Sequence, residues 1–309
     1  MTDHPLSDQP DVFEVRVPVT TVWTSPDAPR DIDAGALLAE PDVAGWAASM
    51  DAGVRKGLDG RTLTQLLIGE GVQVVEERGD WAQVVALLQP SSLDPRGYPG
   101  WVRRNHLGAP VDRTAGPTAY VMSRSTVCDI DDGPRWDLSF GTALWVDDTS
   151  EGTVRVLLPD GRGAAVPSAD VRLSHKDEQP SFGPDDILGS ARQFLGLRYL
   201  WGGTSAWGLD CSGLVHLTYR AHGLVAPRDA FDQVEQVDAV PLDDVVPGDL
   251  YFFARPGERV YHVGLATRPV GADGLRWMLH APEGGELVED APLAPHRVQT
   301  LVSAGRVPG

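Results

Sequence analysis

The sequence predicts an α+β protein in which two small β-barrels precede a mixed C-terminal domain. Stretches rich in Val, Gly, Pro and Trp fill the first half of the 309-residue chain, where helical patterns are scarce. Helical and strand patterns both occur in the last 120 or so residues. A chain of this length is too long for one ordinary core, so we expect two or three domains.

The two predicted barrels repeat one loose pattern, in residues 71–107 and again in residues 141–173. Each copy has a Gly-led strand, a charged turn, an alternating strand, a Gly-containing turn and a third strand closed by Leu. Alternation with period two is typical of half-buried strands, and Gly and Asp clusters are typical of hairpins. The first copy also carries residues 40–65, where four apolar residues with the spacing of one helical face predict a helical insertion: Trp46, Met50, Val54 and Leu58.

The C-terminal domain begins after a polar linker at residues 174–184. A helix capped by Asp185 or Asp186 is expected next, with an apolar face formed by Ile187, Leu188, Ala191, Phe194 and Leu195. A loop dense in Gly and aromatic residues then leads into a second helix that begins at Cys211 and ends at Gly223. Three strands are predicted beyond it, at 249–255, 261–267 and 276–281. The predicted domains are 1–110, 111–178 and 179–309.

Composition excludes several classes of partner. The formal net charge is −18 and the pI is near 4.7, so the surface repels nucleic acid and anionic lipid. The first residues lack the basic and apolar regions of a secretory signal, and no apolar run is long enough to span a bilayer. Two separate cysteines, Cys128 and Cys211, favour a reduced compartment over a disulfide-built fold. We therefore predict a cytoplasmic protein, and a monomer.

Cys211 has the sequence context of a cysteine nucleophile. A thiol at the start of a helix lies at the positive end of the helix dipole and can have a depressed pKa. Free backbone N–H groups at the same terminus can hold an oxyanion. An inert buried cysteine is the alternative interpretation of Cys211 alone. The Gly-rich loop before it favours the nucleophile.

Two histidines supply a base and a residue to orient it. His262 opens one predicted strand and His280 ends the next. In antiparallel neighbours the two imidazoles can lie side by side, so that His262 pairs with the thiol and His280 fixes its tautomer. Two distant cysteines and no close His/Cys/Asp cluster leave too few ligands for zinc, so we predict neither a metal nor a cofactor.

Five motifs in order resemble the NlpC-type family of bacterial cell-wall cysteine endopeptidases. They are Tyr199-Leu-Trp-Gly-Gly, Leu209-Asp-Cys-Ser-Gly, Pro247-Gly-Asp-Leu, His262-Val-Gly and His280. The resemblance covers roughly residues 185–305 and implies a papain-like catalytic domain. The two preceding units resemble bacterial SH3 (SH3b) modules. The combination is similar to γ-D-glutamyl-L-diamino acid endopeptidases.

The resemblance implies a role for each matching residue. Cys211 is the nucleophile, His262 the base, His280 the orienting residue, and Tyr199 helps to stabilise the oxyanion. Further matches imply substrate contacts with a peptide that has a free N-terminal L-Ala: Asp210, Ser212, Trp201, Asp229, Glu70 and Tyr98. Leu209 replaces a common aromatic, and Ala230 replaces a common hydroxyl residue after Asp229, which removes one expected substrate hydrogen bond.

Asp210 poses an electrostatic problem of its own. A carboxylate beside a thiolate raises the pKa of the thiol by like-charge repulsion, so a cation is expected to neutralise it during turnover. A substrate ammonium group fits that requirement, which ties Asp210 to recognition of a free N-terminus. The other interpretation is that Asp210 caps the helix of Cys211, and the two roles are not mutually exclusive.

The sequence therefore predicts hydrolysis of the γ-D-glutamyl–L-diamino acid bond in small murein peptides, as part of wall-peptide recycling. Two alternatives stay open at this point. One is a non-catalytic wall-peptide-binding protein built on the SH3b modules, and the other is an amidase or acyltransferase that uses the same thiol.

Overall fold

The structure is a computed structural model that describes residues 12–110, 116–175, 182–271, 273–283 and 286–308. Two antiparallel sheets of seven strands come first, and a six-stranded antiparallel sheet with helices follows. The prediction of mixed α and β structure is therefore confirmed. Within the described ranges, none of the helices has the length and apolar character required to cross a membrane.

The first sheet has the strand order β3-β2-β6-β5-β4-β1-β7. Alternate residues of its strands, among them Val15, Leu66 and Val102, point into a common apolar core. The strands are β1 (Val12–Val15), β2 (Val19–Trp23), β3 (Thr62–Leu67), β4 (Gly71–Arg78), β5 (Trp81–Ala86), β6 (Tyr98–Arg103) and β7 (Leu107–Gly108).

The predicted helical insertion lies between β2 and β3 and is broken into short pieces. A 3₁₀ helix (Asp31–Leu37) precedes α1 (Val43–Ser49) and α2 (Ala52–Lys56). The single helical face expected through Met50 is wrong in detail, because Met50 is extended and the Asp51 side chain caps α2 by accepting from Val54 N–H.

The second sheet has the order β10-β9-β13-β12-β11-β8-β14. Its own core includes Cys128, Leu138 and Val156, whereas Phe140 packs with the C-terminal domain. The strands are β8 (Thr118–Val121), β9 (Ser125–Ile130), β10 (Arg135–Ser139), β11 (Ala143–Ser150), β12 (Thr153–Leu157), β13 (Gly163–Pro167) and β14 (Val171–Ser174).

Strand pairing in these two sheets follows the predicted hairpins but does not reproduce a closed barrel. The hairpins β4–β5 and β11–β12 both pair antiparallel, each with one register shift. Among the described residues, pairing runs in a line from β3 to β7 and from β10 to β14. The prediction of closed SH3-like barrels is therefore not confirmed.

The C-terminal domain has the sheet order β17-β22-β18-β19-β20-β21. All three predicted strands are present as neighbours in this sheet, and β19 pairs antiparallel with both β18 and β20. The strands of this sheet are β17 (Asp238–Val240), β18 (Leu250–Phe253), β19 (His262–Ala266), β20 (Trp277–His280), β21 (Glu289–Pro292) and β22 (Leu301–Arg306). The domain also has a separate two-stranded ribbon of β15 (Thr204–Ser205) and β16 (Gly208–Leu209). The helices of the C-terminal domain are α3 (Pro184–Arg192), α4 (Cys211–Ala221), α5 (Ala230–Gln233) and α6 (Pro295–Thr300).

The start of α3 differs from the prediction. Gly183 is the N-cap and Pro184 is the first helical residue, and Asp186 accepts a hydrogen bond from Gly183 N–H at 2.8 Å instead of capping the helix itself. Leu195, expected on the apolar face, lies beyond the helix and is exposed. Most of the predicted linker, residues 176–181, lies outside the described residues, as does the boundary expected between 178 and 179.

One hydrophobic core joins the first sheet to the C-terminal domain. Trp23 of β2 and Trp46 of α1 pack in the same cluster as Leu200, Leu209 and Leu214, which surround the start of α4. Burial of aromatic rings is among the larger contributions to folding free energy, so these parts are expected to be stable only together.

Candidate active site

Cys211 is the first residue of α4, as the sequence predicts. Asp210 is the N-cap, and its Oδ1 accepts from Gly213 N–H at 2.7 Å. The preceding Gly-rich loop passes so close to the helix that a Cβ on Gly213 would lie 2.1 Å from the carbonyl oxygen of Gly203. Glycine is therefore required here by contact with backbone. The loop fixes the thiol at the helix terminus.

The two predicted histidines are adjacent. His262 begins β19 and His280 ends β20, and Nε2 of His262 lies 2.8 Å from Nδ1 of His280. Cys211 packs beside β19, because it lies in one hydrophobic cluster with Val263, the residue after His262. The structure thus brings Cys211 and both histidines to one place.

The His262–His280 bond fixes which nitrogen of His262 is free to react. One of the two bonded nitrogens must carry the proton and the other must accept it. When Nε2 of His262 donates, its Nδ1 is left as a lone pair, and Nδ1 is a buried atom without a hydrogen-bond partner. Nδ1 is therefore the nitrogen of His262 that stays free to accept a proton.

Burial sets the charge of the resting site. Burial, and then the Asp210 carboxylate, raise the pKa of the Cys211 thiol to about 12. Burial, and then His280 and Arg297, hold the pKa of His262 well below its usual value. The depressed thiol pKa expected from the helix dipole is therefore wrong, because desolvation outweighs the dipole. The resting pair is a neutral thiol and a neutral imidazole.

Tyr199 and Trp201 lie together beside the thiol. Their ring centroids are 4.7 Å apart and nearly perpendicular. The pKa of Tyr199 is raised well above its usual value, first by burial and then by the nearby Cys211 and Asp210, so its hydroxyl stays protonated and can donate. The backbone carbonyl oxygen of Tyr199 accepts a hydrogen bond from Arg55 of α2 at 3.0 Å. The helical insertion thus supports the site.

Asp210 is neutralised by a residue that the sequence analysis did not single out. The guanidinium of Arg228 donates to both carboxylate oxygens of Asp210, at 3.0 and 2.6 Å, and its side chain is fully buried. Gly202 N–H also donates to Asp210. The protein itself therefore supplies a cation for Asp210, and the helix-capping role is observed, so the charge of Asp210 does not require a substrate ammonium group.

A cavity of about 560 Å³ opens next to the thiol. The predicted residues among those lining it are Tyr199, Asp210, Cys211, Ser212 and Asp229, together with Ala230. Asp229 is half-buried, and it accepts a hydrogen bond from the hydroxyl of Tyr98 at 2.9 Å. Burial raises the pKa of Asp229, although Arg228 and Tyr98 oppose that rise. Tyr98 thereby brings the first sheet to the edge of the cavity.

Glu70 is not brought to the cavity with the other predicted residues. Its side chain is 1% exposed, forms a buried ion pair with Arg220 near the end of α4, and accepts from Leu67 N–H at 2.7 Å. These contacts satisfy its charge inside the protein. The structure therefore assigns Glu70 to the joint between the first sheet and α4, which corrects the expectation of a substrate contact.

Both N-terminal sheets hold the loop that precedes Cys211. In the first sheet, Gln65 of β3 accepts from Thr204 N–H at 3.2 Å and from the Ser205 hydroxyl at 2.8 Å. In the second, the Ser139 hydroxyl accepts from Ala206 N–H at 2.9 Å. This contact gives the second sheet a role in holding the loop.

Four residues that contribute to the site were not predicted. Arg228 precedes Asp229 in Pro-Arg-Asp, and a buried arginine beside two carboxylates could have been inferred from that motif. The other three lie far apart in sequence and have no local signal: Gln65, Glu283 and Arg297. Among the described residues, no group of three or more His, Cys, Asp or Glu side chains is arranged to hold a metal ion.

Comparisons with known proteins agree with this geometry. Residues 196–306 match the NlpC/P60 family. The γ-D-glutamyl-L-lysine dipeptidyl-peptidase of Bacillus subtilis is 36% identical over 88% of this chain and 90% of its own length. The chain belongs to the NlpC/P60 family. It is a cysteine peptidase, which sets aside the interpretation as a wall-peptide-binding protein without catalysis.

Two further comparisons extend over nearly the whole chain. The γ-D-glutamyl-L-lysine dipeptidyl-peptidase of Bacillus cereus is 33% identical over 94% of this chain and 90% of its own length. A crystal structure of an NlpC/P60 family protein from Bacillus cereus superimposes with a TM-score of 0.89 at 31% identity, over 96% of this chain and 99% of that one. The similarity therefore includes both N-terminal sheets.

The charge state of the resting site predicts how Cys211 reacts with iodoacetamide. Because the thiol pKa is raised to about 12, the thiolate fraction should keep increasing with pH, and so should the alkylation rate. Mass spectrometry of the Cys211 peptide at a series of pH values measures this rate, with the fully buried Cys128 as an internal comparison. A rate that levels off below about pH 7 would instead indicate a thiolate–imidazolium pair.

The buried ion pair predicts a structural role for Glu70. Glu70→Gln leaves Arg220 charged and uncompensated inside the protein, so the free energy of unfolding should fall by about 3 kcal/mol. Urea unfolding measures that loss, and kcat/KM of the folded variant should stay within about twofold of wild type. A large rise in KM with unchanged stability would show that Glu70 contacts substrate after all.

Proposed function

We propose that the protein is an endopeptidase that hydrolyses the γ-D-glutamyl–L-diamino acid bond of small cell-wall peptides with a free N-terminal L-Ala. Two Bacillus relatives of nearly equal length are named γ-D-glutamyl-L-lysine dipeptidyl-peptidases, which supports this substrate class. The observation that carries the proposal is the half-buried carboxylate of Asp229, which lines the same cavity as Cys211. A peptide ammonium group can pair with Asp229 while a nearby carbonyl meets the thiol.

In the proposed reaction His262 takes the thiol proton as the sulfur of Cys211 attacks the γ-carbonyl carbon. A neutral resting pair means that this proton moves during the attack and not before it. The backbone N–H of Ser212, in the first turn of α4, and the Tyr199 hydroxyl stabilise the oxyanion. His280 holds the ring of His262 through the 2.8 Å bond. Protonated His262 then protonates the leaving amine, and water releases the acyl group from Cys211.

Recognition of the N-terminus falls to Asp229 in this proposal. Asp210 also lines the cavity, but its carboxylate is bonded by Arg228 and by two backbone N–H groups. Asp229 has its Oδ2 held by Tyr98 and faces the cavity. Ser212 and Trp201 complete the proposed substrate wall. Ala230 also lines the cavity and offers only a methyl group where a hydroxyl is common among relatives, so Asp229 must act without that neighbour.

The arrangement of the whole chain supports action on small peptides. Tyr98 of the first sheet is hydrogen-bonded to Asp229 of the cavity, so in this proposal the first sheet closes the space beyond the N-terminal residue of a substrate. We propose that the two N-terminal sheets are SH3b-like modules, with domains at 1–110, 111–178 and 179–309. The monomeric state and the cytoplasmic location stay predictions of the sequence, and recycling of wall peptides follows only if both the location and the substrate class hold.

The decisive assay compares L-Ala-γ-D-Glu-L-Lys with its N-acetylated form. We expect release of L-Ala-D-Glu from the free peptide, and a kcat/KM lower by about tenfold to a hundredfold for the blocked peptide, since it lacks a charged hydrogen bond. Asp229→Asn should remove most of that preference, and Cys211→Ala should remove hydrolysis altogether. Product analysis by chromatography and mass spectrometry measures each rate.

The outcomes separate the parts of the proposal. No cleavage of either peptide would contradict the proposed activity. Equal cleavage of both would contradict amine recognition by Asp229 while leaving the endopeptidase activity intact. Transfer of the acyl group to an added amine, without net hydrolysis, would favour an acyltransferase. A diaminopimelate peptide assayed beside the lysine peptide gives the preference at the leaving side.

A further inference from the structure

Each outer nitrogen of the histidine pair faces a carboxylate that the proposed reaction does not use. Oε2 of Glu283 lies 3.2 Å from Nδ1 of His262, the nitrogen that is to receive the thiol proton. Oε1 of Glu289 lies 3.4 Å from Nε2 of His280 at the other end. The two imidazoles therefore form a short chain with an anion at both ends.

Glu283 is held in place by a buried arginine. Arg297 of α6 forms an ion pair with Oε2 of Glu283, and its side chain is only 4% exposed. Arg297 also donates to the hydroxyl of Tyr261 at 3.2 Å, while its Nε is a buried atom with no hydrogen-bond partner. Without Glu283 this cation would face the histidine pair uncompensated.

The positions of the protons on His262 and His280 decide which carboxylate faces a protonated nitrogen at each stage of the reaction. The neutral pair carries one proton in the His262–His280 bond and one at an outer nitrogen. The charge of Glu283 is offset by Arg297, so the outer proton is favoured at His280, beside Glu289, and Nδ1 of His262 stays free. After the thiol proton reaches Nδ1, both outer nitrogens carry a proton and both face an anion.

We propose that Glu283 is a positioning residue that acts through His262: its carboxylate stabilises the imidazolium form of His262 while Cys211 attacks the substrate. The inference rests on the proposed function for the identity of the substrate alone. In the step concerned, the S–H bond breaks, its proton goes to Nδ1, sulfur bonds to the carbonyl carbon and the C=O electron pair moves to oxygen. Collapse then expels the amine, which takes the proton from Nδ1, so the histidine returns to its starting form.

The charges around the pair give Glu283 opposite effects on the two partners. His280, Arg297 and His296 all lower the pKa of His262. The carboxylate of Glu283 lies 3.2 Å from Nδ1 and favours a positive charge there, so its loss makes the imidazolium harder to form. Asp210 and Glu283 both raise the pKa of Cys211, so the same loss makes the thiolate easier to form. Hydrolysis needs the imidazolium as an acid, whereas alkylation by a neutral reagent needs only the thiolate.

The test compares hydrolysis and alkylation in Glu283→Gln. We expect kcat for L-Ala-γ-D-Glu-L-Lys to fall about tenfold with KM nearly unchanged, and iodoacetamide to modify Cys211 about twofold or more faster at pH 8. Glu286→Gln is the matched control, because Glu286 is an exposed carboxylate in the same segment. Both rates should stay at the wild-type value in that variant. Circular dichroism checks that each variant is folded.

Opposite changes in the two rates are the signature of the proposed role, since a merely structural defect would slow both. The proposal is overturned if both rates fall together, if neither changes, or if Glu286→Gln gives the same result. Glu283→Asp keeps an anion beside Arg297 and serves if the Gln variant does not fold; it should lose less kcat than about tenfold. If the wild type leaves the tripeptide intact, the proposed function fails and the alkylation rates alone decide the role of Glu283.

Discussion

The buried ion pair between Arg228 and Asp210 is the interaction on which the site depends. The carboxylate of Asp210 caps α4 by accepting a hydrogen bond from Gly213 N–H, and it accepts a second one from Gly202 N–H of the Gly-rich loop. Asp210 also lies next to the thiol of Cys211. Arg228 neutralises it, and its Nε also donates to Thr64 of the first sheet at 2.8 Å. Charges of this kind are tolerated in an interior only when both are paired and hydrogen-bonded. The Asp210–Arg228 pair therefore links the start of α4, the Gly-rich loop and the first sheet, and it fixes the position of Cys211.

This arrangement explains why the thiol can be buried and still serve as a nucleophile. With Asp210 paired to Arg228, the group next to Cys211 carries little net charge, and desolvation becomes the main influence on the thiol. A buried neutral thiol beside a buried neutral imidazole is protected from alkylation and oxidation until a substrate carbonyl is in place. The reaction then depends on how well the site accommodates the charges that form during attack. In the proposed reaction, N–H groups at the start of α4 stabilise the oxyanion, and His280 and Glu283 stabilise the imidazolium.

Local patterns predicted much of this structure, and long-range contacts account for what they missed. The helix that begins at Cys211 and the paired strands of His262 and His280 follow from spacing and glycine placement, which act within a few residues. Arg228 could be found only as part of a motif, and the burial that raises the thiol pKa could not be read from a helix terminus alone. Glu70 was misassigned because its partner, Arg220, lies 150 residues away in sequence. Closure of the N-terminal sheets depends on the register of distant strands, which alternation does not determine.

A double-mutant cycle on the Arg228–Asp210 pair tests the central claim most directly. Urea unfolding is measured for the wild type, for Arg228→Met, for Asp210→Asn and for the double variant. The account predicts that each single variant loses about 3 kcal/mol or more, because one buried charge is left unpaired, and that the double variant loses scarcely more than one of them. Additive losses, with no coupling free energy between the two sites, would contradict it and would mean that the nucleophile's position is set elsewhere.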